Sequence, residues 1–280
     1  MSKYTQTQTQ SQTQSQSTPN ELCGKKIFTL DNIVSRADCE GLVMRAENAG
    51  FNKSSLSGGG HGRTGREDAR TSQFRVINDA GIASNLWMKI KSSLPPDVSH
   101  LSTSGYVSNA DVAKEWNPVM VNDRIRVYKY EVGEVFPEHI DYKMCRKVYR
   151  DNKQYQQMTF MTLLVYLNDN FEGGQTGFWT QHDEIGKKEH CRFLRGSENK
   201  PHQVVVSPKT GMALINDQNL LHEGLPPTKG TKYILRTDVV YEREMPIHEK
   251  VLKTLPNDYF KEREEEWEKL FETSCKNYAD

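Results

Sequence analysis

The chain has 280 residues, with 37 basic and 37 acidic side chains. This balance excludes a general electrostatic attraction to nucleic acid or to anionic membranes, and no apolar run approaches the ~20 residues that a membrane-spanning helix needs. The N-terminus lacks the apolar core of a secretory signal, and the five cysteines are scattered without a CxxC pair, so we expect a protein of the cytosol or nucleus.

The first part of the chain combines a polar tail with a region of helices. Residues 1–20 are almost all Gln, Thr and Ser, which predicts a disordered tail because such a segment has no apolar surface to bury. Residues 21–118 are predicted to be an N-terminal helical support region. It contains the short strand "KIFTL", a helix that begins after Ser35 as N-cap and ends at Ala49-Gly50, and a second helix within "DAGIASNLWMKIKSSL".

A loop rich in glycine and polar residues, "SSLSGGGHGRTGRED", separates the two predicted helices. Its composition is typical of a flexible connector, and it also suits a mobile lid over a substrate site. Both interpretations stay open at this point.

The hydrophobic period changes near residue 119. Four segments are rich in β-branched and aromatic residues and are broken by Gly and Pro: "VMVNDRIRVYKYEVGEVF", "MTFMTLLVYLND", "HQVVVSPKTGMALIND" and "TKYILRTDVVYE". Strands that follow two helices predict an α+β chain with a sandwich or barrel at residues 119–245. An apolar stripe within residues 246–280 predicts a C-terminal helix that packs against the rest of the protein.

A metal site is indicated by His139-x-Asp141 at the end of one predicted strand. Residues i and i+2 of a strand point to the same face, so both side chains can reach one ion. His222 is the third candidate, because it lies between two apolar strands, whereas the other histidines lie in loop-like or polar stretches or beyond the last strand. Two histidines and one carboxylate on one side of an octahedral ion are typical of non-haem iron(II) oxygenases.

Two basic residues follow His222 at spacings that suit an anion site. Lys232 is ten positions beyond it, and Arg236 lies four positions further along the same strand, on the same face. Either side chain could bind the distal carboxylate of a 2-oxo acid that chelates the metal. The alternative is that one or both are strand-edge cations that face solvent.

Three stretches together resemble the 2-oxoglutarate/iron(II) dioxygenase domain of the prolyl 4-hydroxylase type: "RVYKYEVGEVFPEHID", "MTLLVYLNDNFEGGQTGFW" and "PKTGMALINDQNLLHEGLPPTKGTKYILRTDVVY". The resemblance covers about residues 120–242. It implies a double-stranded β-helix, or jelly roll, with N-terminal supporting helices and a C-terminal helix. It also implies Fe(II) and 2-oxoglutarate as cofactor and co-substrate, with ascorbate to be considered as an accessory reductant.

The resemblance assigns roles residue by residue. It implies that His139, Asp141 and His222 are the catalytic iron ligands. It further implies that Lys232 binds the tail of 2-oxoglutarate, with Arg236 as the second choice, and that Tyr130 lines the co-substrate pocket.

The "FEGGQTGFW" segment and the insert after it have less specific interpretations. The paired glycines permit a tight turn or a close backbone approach, and Thr176 is a candidate pocket residue. The insert from about 180 to 203 either contacts substrate or is a surface excursion.

The implied activity is hydroxylation of a substrate C–H bond, with release of succinate and CO2. A peptidyl proline is the first substrate to consider, within a wider class of peptides and small molecules. A nucleic-acid demethylase is one alternative, for which the arginines between residues 63 and 75 argue and the acidic Glu67 and Asp68 argue against. The others are a non-enzymatic jelly-roll binding module and a zinc-dependent hydrolase that uses Glu138 or Glu223 as general base.

Overall fold

The computed structural model describes residues 18–53, 72–96, 98, 101, 115–151, 153–180 and 201–245. Most of the predicted N-terminal tail, the glycine-rich loop, most of the insert after residue 180 and the predicted C-terminal helix lie outside these residues. Within them, no helix is both long enough and apolar enough to cross a bilayer.

Two α-helices and sixteen strands make up the described chain. The helices are α1 (Arg36–Ala49) and α2 (Ala80–Ile90), the second of which continues into a 3-10 turn (Lys91–Ser93). The strands are β1 (Asn20–Cys23), β2 (Ile27–Leu30), β3 (Asn52–Lys53), β4 (Gln73–Asn78), β5 (Asn117–Val121), β6 (Arg124–Tyr130), β7 (Phe136–His139), β8 (Cys145–Arg150), β9 (Lys153–Tyr166), β10 (Glu172–Gly173), β11 (Thr176–Trp179), β12 (Val204–Val206), β13 (Ala213–Asp217), β14 (Leu221–Gly224), β15 (Pro227–Lys229) and β16 (Lys232–Met245).

Both helices begin at the residues that cap them. The Ser35 hydroxyl accepts a hydrogen bond from the backbone N–H of Asp38 (3.1 Å), and α1 ends at Gly50, whose φ of 74° favours glycine. At the start of α2, the carboxylate of Asp79 accepts from the N–H of Ile82 (3.0 Å). The predicted limits of the first helix are therefore confirmed.

The strands form a large antiparallel sheet, here called the major sheet, in the order β1-β2-β13-β9-β16-β6-β4-β3. β5 pairs with β16 and β8 pairs with β9 at one end of it. The two 14-residue strands, β9 and β16, pair along most of their length, with one bulge between Val239 and Val240. The N-terminal region thus supplies strands β1 to β4 to this sheet as well as the two helices.

Four shorter strands form the minor sheet, in the order β12-β11-β14-β7, and β10 pairs with β15. Apolar side chains from both sheets, among them Tyr166 and Ile234 of the major sheet and Phe178 of the minor sheet, share one core. A second core lies on the other face of the major sheet, against α1 and α2. Two antiparallel sheets around a shared core, with helices behind one of them, confirm the predicted jelly roll with N-terminal helices.

The segment before α1 passes close to Gly211, which lies in the turn before β13. The carbonyl of Gly211 accepts hydrogen bonds from the N–H groups of Ile33 (2.9 Å) and Val34 (3.2 Å). Its φ is 77°, and a Cβ atom at this position would overlap the carbonyl of Val34. Only glycine allows the backbone to pass this closely in this conformation.

Candidate metal centre

The three side chains predicted to bind metal lie together at one end of the minor sheet. β7 and β14 pair antiparallel with His139 opposite His222, and the centroids of their imidazole rings are 4.2 Å apart. Asp141 follows β7, and its backbone N–H donates to the carbonyl of Gln218 (2.9 Å). One ligand atom from each residue lies within 4.8 Å of the others. We call His139, Asp141 and His222 the metal triad.

Backbone carbonyls orient both imidazoles of the triad. Nδ1 of His139 is 2.7 Å from the carbonyl oxygen of Pro137, and Nδ1 of His222 is 2.9 Å from that of Leu220. Since a carbonyl only accepts, each Nδ1 carries the proton and each Nε2 presents its lone pair. These Nε2 atoms are 3.8 Å and 3.7 Å from the carboxylate oxygens of Asp141. The donor set and its tautomers fit a divalent metal such as Fe(II).

The Asp141 carboxylate is ionised in spite of its burial. Burial alone would raise the pKa of Asp141, but the charge of the Arg236 guanidinium outweighs it and holds that pKa well below its usual value. Nη2 of Arg236 is 2.8 Å from Oδ1 of Asp141, and the hydroxyl of Thr162 donates to Oδ2. A charged carboxylate is the form that binds a metal.

Arg236 belongs to a closed network around Asp141. Its Nη2 atom is also 3.3 Å from Oδ1 of Asp238, which accepts a hydrogen bond from the side-chain amide of Gln218 (2.9 Å). The backbone carbonyl of Gln218 in turn accepts the N–H of Asp141. The side chain and the backbone of Asp141 are therefore held by the same set of contacts.

Lys232 lies deep in the core between the sheets, at the start of β16. It is 2% exposed, and its Nζ donates to the carbonyl of Gly174 (2.7 Å). No carboxylate among the described residues pairs with it, and burial lowers the pKa of Lys232 to about 7. A buried ammonium without a counter-charge is costly, and the carboxylate of a bound acid would relieve that cost. The site thus fits the distal carboxylate of 2-oxoglutarate.

Aromatic and hydroxyl groups surround this ammonium. The ring of Tyr130, opposite Lys232 on β6, has its centroid 5.1 Å from Nζ, and that of Tyr166 lies at 5.9 Å. The hydroxyls of Tyr166 and Thr176 are 2.8 Å apart. Tyr130, which was predicted from the sequence, therefore lies beside the Lys232 ammonium, and Thr176 contacts the second ring next to it, that of Tyr166.

The remaining candidates lie elsewhere. Arg236 is on the same strand face as Lys232, but its guanidinium contacts Asp141 of the metal triad. Glu223, proposed as a general base, is 2.8 Å from Nε2 of His202 through its Oε1 atom. Three residues that contact the site were not predicted from the sequence: Thr162, Gln218 and Asp238. Of these, only Asp238 has a local sequence signal, because it follows Arg236 by two positions on an apolar strand.

Comparisons with known proteins identify one matching family profile and several solved structures of low sequence identity. The sequence profile of the 2OG-Fe(II) oxygenase superfamily matches residues 125–237, a range that contains the metal triad, Lys232 and Arg236. Similar solved structures include the viral collagen prolyl hydroxylase of Paramecium Bursaria Chlorella virus-1, at 19% identity, with 79% of this chain and 99% of that chain covered and a TM-score of 0.45.

Two further solved structures are prolyl hydroxylases. That of Pseudomonas putida is 14% identical, with 76% of this chain and 92% of that chain covered and a TM-score of 0.42. That of Trichoplax adhaerens, in complex with a hypoxia inducible factor peptide fragment, is 17% identical, with coverage of 77% and 83% and a TM-score of 0.45. No curated protein matches the chain by sequence.

Proposed function

The chain carries a domain of the 2OG-Fe(II) oxygenase superfamily at residues 125–237, and on this premise we propose that it hydroxylates a C–H bond of a peptide or small molecule. The supporting observation is the convergence, within 4.8 Å, of ligand atoms from His139, Asp141 and His222. The buried Lys232 lies on the same inner face.

The mechanism assigns a separate task to each of these groups. When bound, Fe(II) supplies the site of dioxygen activation, and 2-oxoglutarate supplies electrons through its decarboxylation to succinate and CO2. The triad would hold the metal from one side, which leaves the other positions for co-substrate and dioxygen. Lys232 would bind the distal carboxylate, and Tyr130 would pack beside that ammonium and exclude water.

We propose proline in a peptide as the first substrate class to test, which rests on the prolyl 4-hydroxylase resemblance of the sequence. Residues 119–245 would form the dioxygenase domain, with residues 21–118 as its support. Ascorbate as an accessory reductant, and the cytoplasm or nucleus as the location, remain predictions.

One contact weighs against the hydrolase alternative. A zinc-dependent hydrolase needs a free general base beside the metal-bound water. Glu223 is adjacent to His222 on β14 and so points to the opposite face of the strand, where it pairs with His202.

The direct test is conversion of 2-oxoglutarate to succinate by the Fe(II)-loaded protein, with and without proline-containing peptides and ascorbate. We expect turnover by the wild type and none by His139→Ala. Glutamine in place of Arg75, a half-buried arginine whose neighbours on β6 face the helices, is the matched control. Equal turnover by the wild type and His139→Ala would refute the proposal.

A further inference from the structure

Arg126 is a basic residue of the inner face that the proposed reaction does not use. On β6 the side chains alternate: Ile125 and Val127 belong to the core under the helices, whereas Tyr128 and Tyr130 belong to the core between the sheets. Arg126 therefore points to the same side as the two tyrosines. It is the register partner of Arg236 on β16, so these two side chains are neighbours on one face.

The guanidinium of Arg126 has donors but no acceptor. Among the residues that the structure describes, none forms a hydrogen bond or an ion pair with it. Burial lowers the pKa of Arg126, and the nearby charges of Arg236 and Arg124 lower it further. The negative charge of Asp238 acts on Arg126, but that carboxylate already pairs with Arg236 and Gln218. Arg126 is half-buried, so its guanidinium is partly removed from water and lies beside a like charge, and a bound anion would offset that cost.

The charges on this face indicate what kind of ligand is missing. By the alternation along β6, Arg124 and Arg126 lie on this side with Lys232 and Arg236, whereas the acids Asp141 and Asp238 already face Arg236. Fe(II) adds two positive charges, and the 2-oxoglutarate dianion cancels them. The basic groups still outnumber the acids, so a further carboxylate would be attracted to this face.

We propose that Arg126 binds a carboxylate of the organic substrate beside the metal triad. This inference rests on the proposed function and adds a substrate class to it: molecules that carry a carboxylate near the C–H bond to be oxidised. A planar guanidinium suits this role because it can donate two parallel hydrogen bonds to one carboxylate. The 1-carboxylate of 2-oxoglutarate is the other possible source of the same chemistry.

The first experiment separates these two sources. The dissociation constant of 2-oxoglutarate is measured by calorimetry for protein loaded with Mn(II) in place of Fe(II), so that no turnover occurs. We expect Arg126→Gln to stay within twofold of the wild type, as the control Arg75→Gln should. A tenfold increase specific to Arg126→Gln would assign Arg126 to the co-substrate and overturn the proposal.

The second experiment tests the substrate carboxylate with matched neutral probes. N-acetylproline is compared with N-acetylprolinamide, and acetyl-Asp-Pro-amide with acetyl-Asn-Pro-amide, on protein that holds Mn(II) and 2-oxoglutarate. We expect the wild type and Arg75→Gln to bind the charged member of at least one pair about tenfold more tightly. Arg126→Gln should lose that preference. No preference in the wild type, or the same preference in Arg126→Gln, would overturn the proposal.

The stability of the ligand-free protein gives an independent readout. If Arg126 is kept for ligand binding, Arg126→Met removes an uncompensated charge and should raise the Tm of the ligand-free protein. A Tm several degrees lower would give Arg126 a structural role and contradict the inference. Wild-type protein that lacks succinate production but still discriminates the charged probe would instead refute the oxygenase reaction and leave the Arg126 site standing.

Discussion

The guanidinium of Arg236 lies 2.8 Å from Oδ1 of Asp141, so a buried arginine contacts the carboxylate of the metal triad directly. The same guanidinium reaches Asp238, whose partner Gln218 also accepts the backbone N–H of Asp141. Contacts of this kind orient a metal ligand and fix its charge. Arg236 is therefore better placed to position Asp141 than to bind the distal carboxylate of 2-oxoglutarate.

Replacement of Arg236 should separate metal binding from co-substrate binding. We expect Arg236→Gln to weaken Mn(II) affinity about 10- to 100-fold, because Asp141 loses its main positive partner, and Arg236→Lys to recover part of this loss. At saturating Mn(II), the affinity for 2-oxoglutarate should change little. Titration calorimetry with each ligand makes both measurements, and a selective loss of 2-oxoglutarate affinity would show that Arg236 is the anchor after all.

Lys232 should show the opposite selectivity and a defined pH dependence. Lys232→Met should raise the dissociation constant of 2-oxoglutarate at least tenfold, which is a loss of about 1.4 kcal/mol or more in binding free energy. The affinity for Mn(II) should not change. Because burial lowers the pKa of Lys232 to about 7 in the ligand-free protein, the ammonium is fully protonated only below that pH. Affinity should thus be constant below pH 7 and fall about tenfold per unit above it.

Binding measurements from pH 6 to 9 test this, with Lys232→Arg as the control. An arginine stays charged throughout this range, so its pH profile should be flat. A wild-type profile that is equally flat would mean that Lys232 does not hold the carboxylate.

Metal and co-substrate should stabilise the fold together. Both bind only to the native arrangement of the triad and Lys232, so Mn(II) with 2-oxoglutarate, each at about 100 times its dissociation constant, should add several kcal/mol to the free energy of unfolding. Thermal denaturation of the wild type should show a clear rise in Tm, and Asp141→Ala should show none. A rise of the same size in Asp141→Ala would place the metal elsewhere.

Two glycines give a paired test of the fold itself. Gly211→Ala introduces a side chain at φ 77° and against the carbonyl of Val34, so it should destabilise the protein by about 2 kcal/mol or more. Gly41 is exposed within α1 and has no atom within 4 Å of the added methyl group. Gly41→Ala should therefore stabilise by about 0.5–1 kcal/mol. Urea denaturation of both variants measures these changes, and equal effects would contradict the close backbone contact between Gly211 and Val34.

The elements with one clear hydrophobic period could be predicted from the sequence. α1 has a capping serine and a terminal glycine, and β9 and β16 are long apolar runs. β8 was not predicted, because "CRKVYR" pairs only with β9 at the edge of the sheet and can carry charge on both faces. β4, "QFRVIN", was also not predicted as a strand of the sheet, since its side chains are mostly half-buried.

The candidate site shows a similar division. Metal chemistry restricts the residue types, so an HxD pair and a later histidine can be selected by eye. The contact between Arg236 and Asp141 depends on the register in which β16 pairs with β9, a long-range property that no local pattern encodes. That no described residue pairs with Arg126 depends in the same way on which residues neighbour β6.

Lys232 and Arg236 lie four residues apart on one face of strand β16. At ~3.3 Å per residue, their Cα atoms are roughly 13 Å apart, and no side-chain rotation can alter that interval. If Lys232 binds the distal carboxylate as proposed, the strand fixes how far that carboxylate lies from the end of the site where Arg236 contacts Asp141. We therefore expect 2-oxoglutarate to bind more tightly than a shorter 2-oxo diacid such as oxaloacetate, which would not reach both ends of the site.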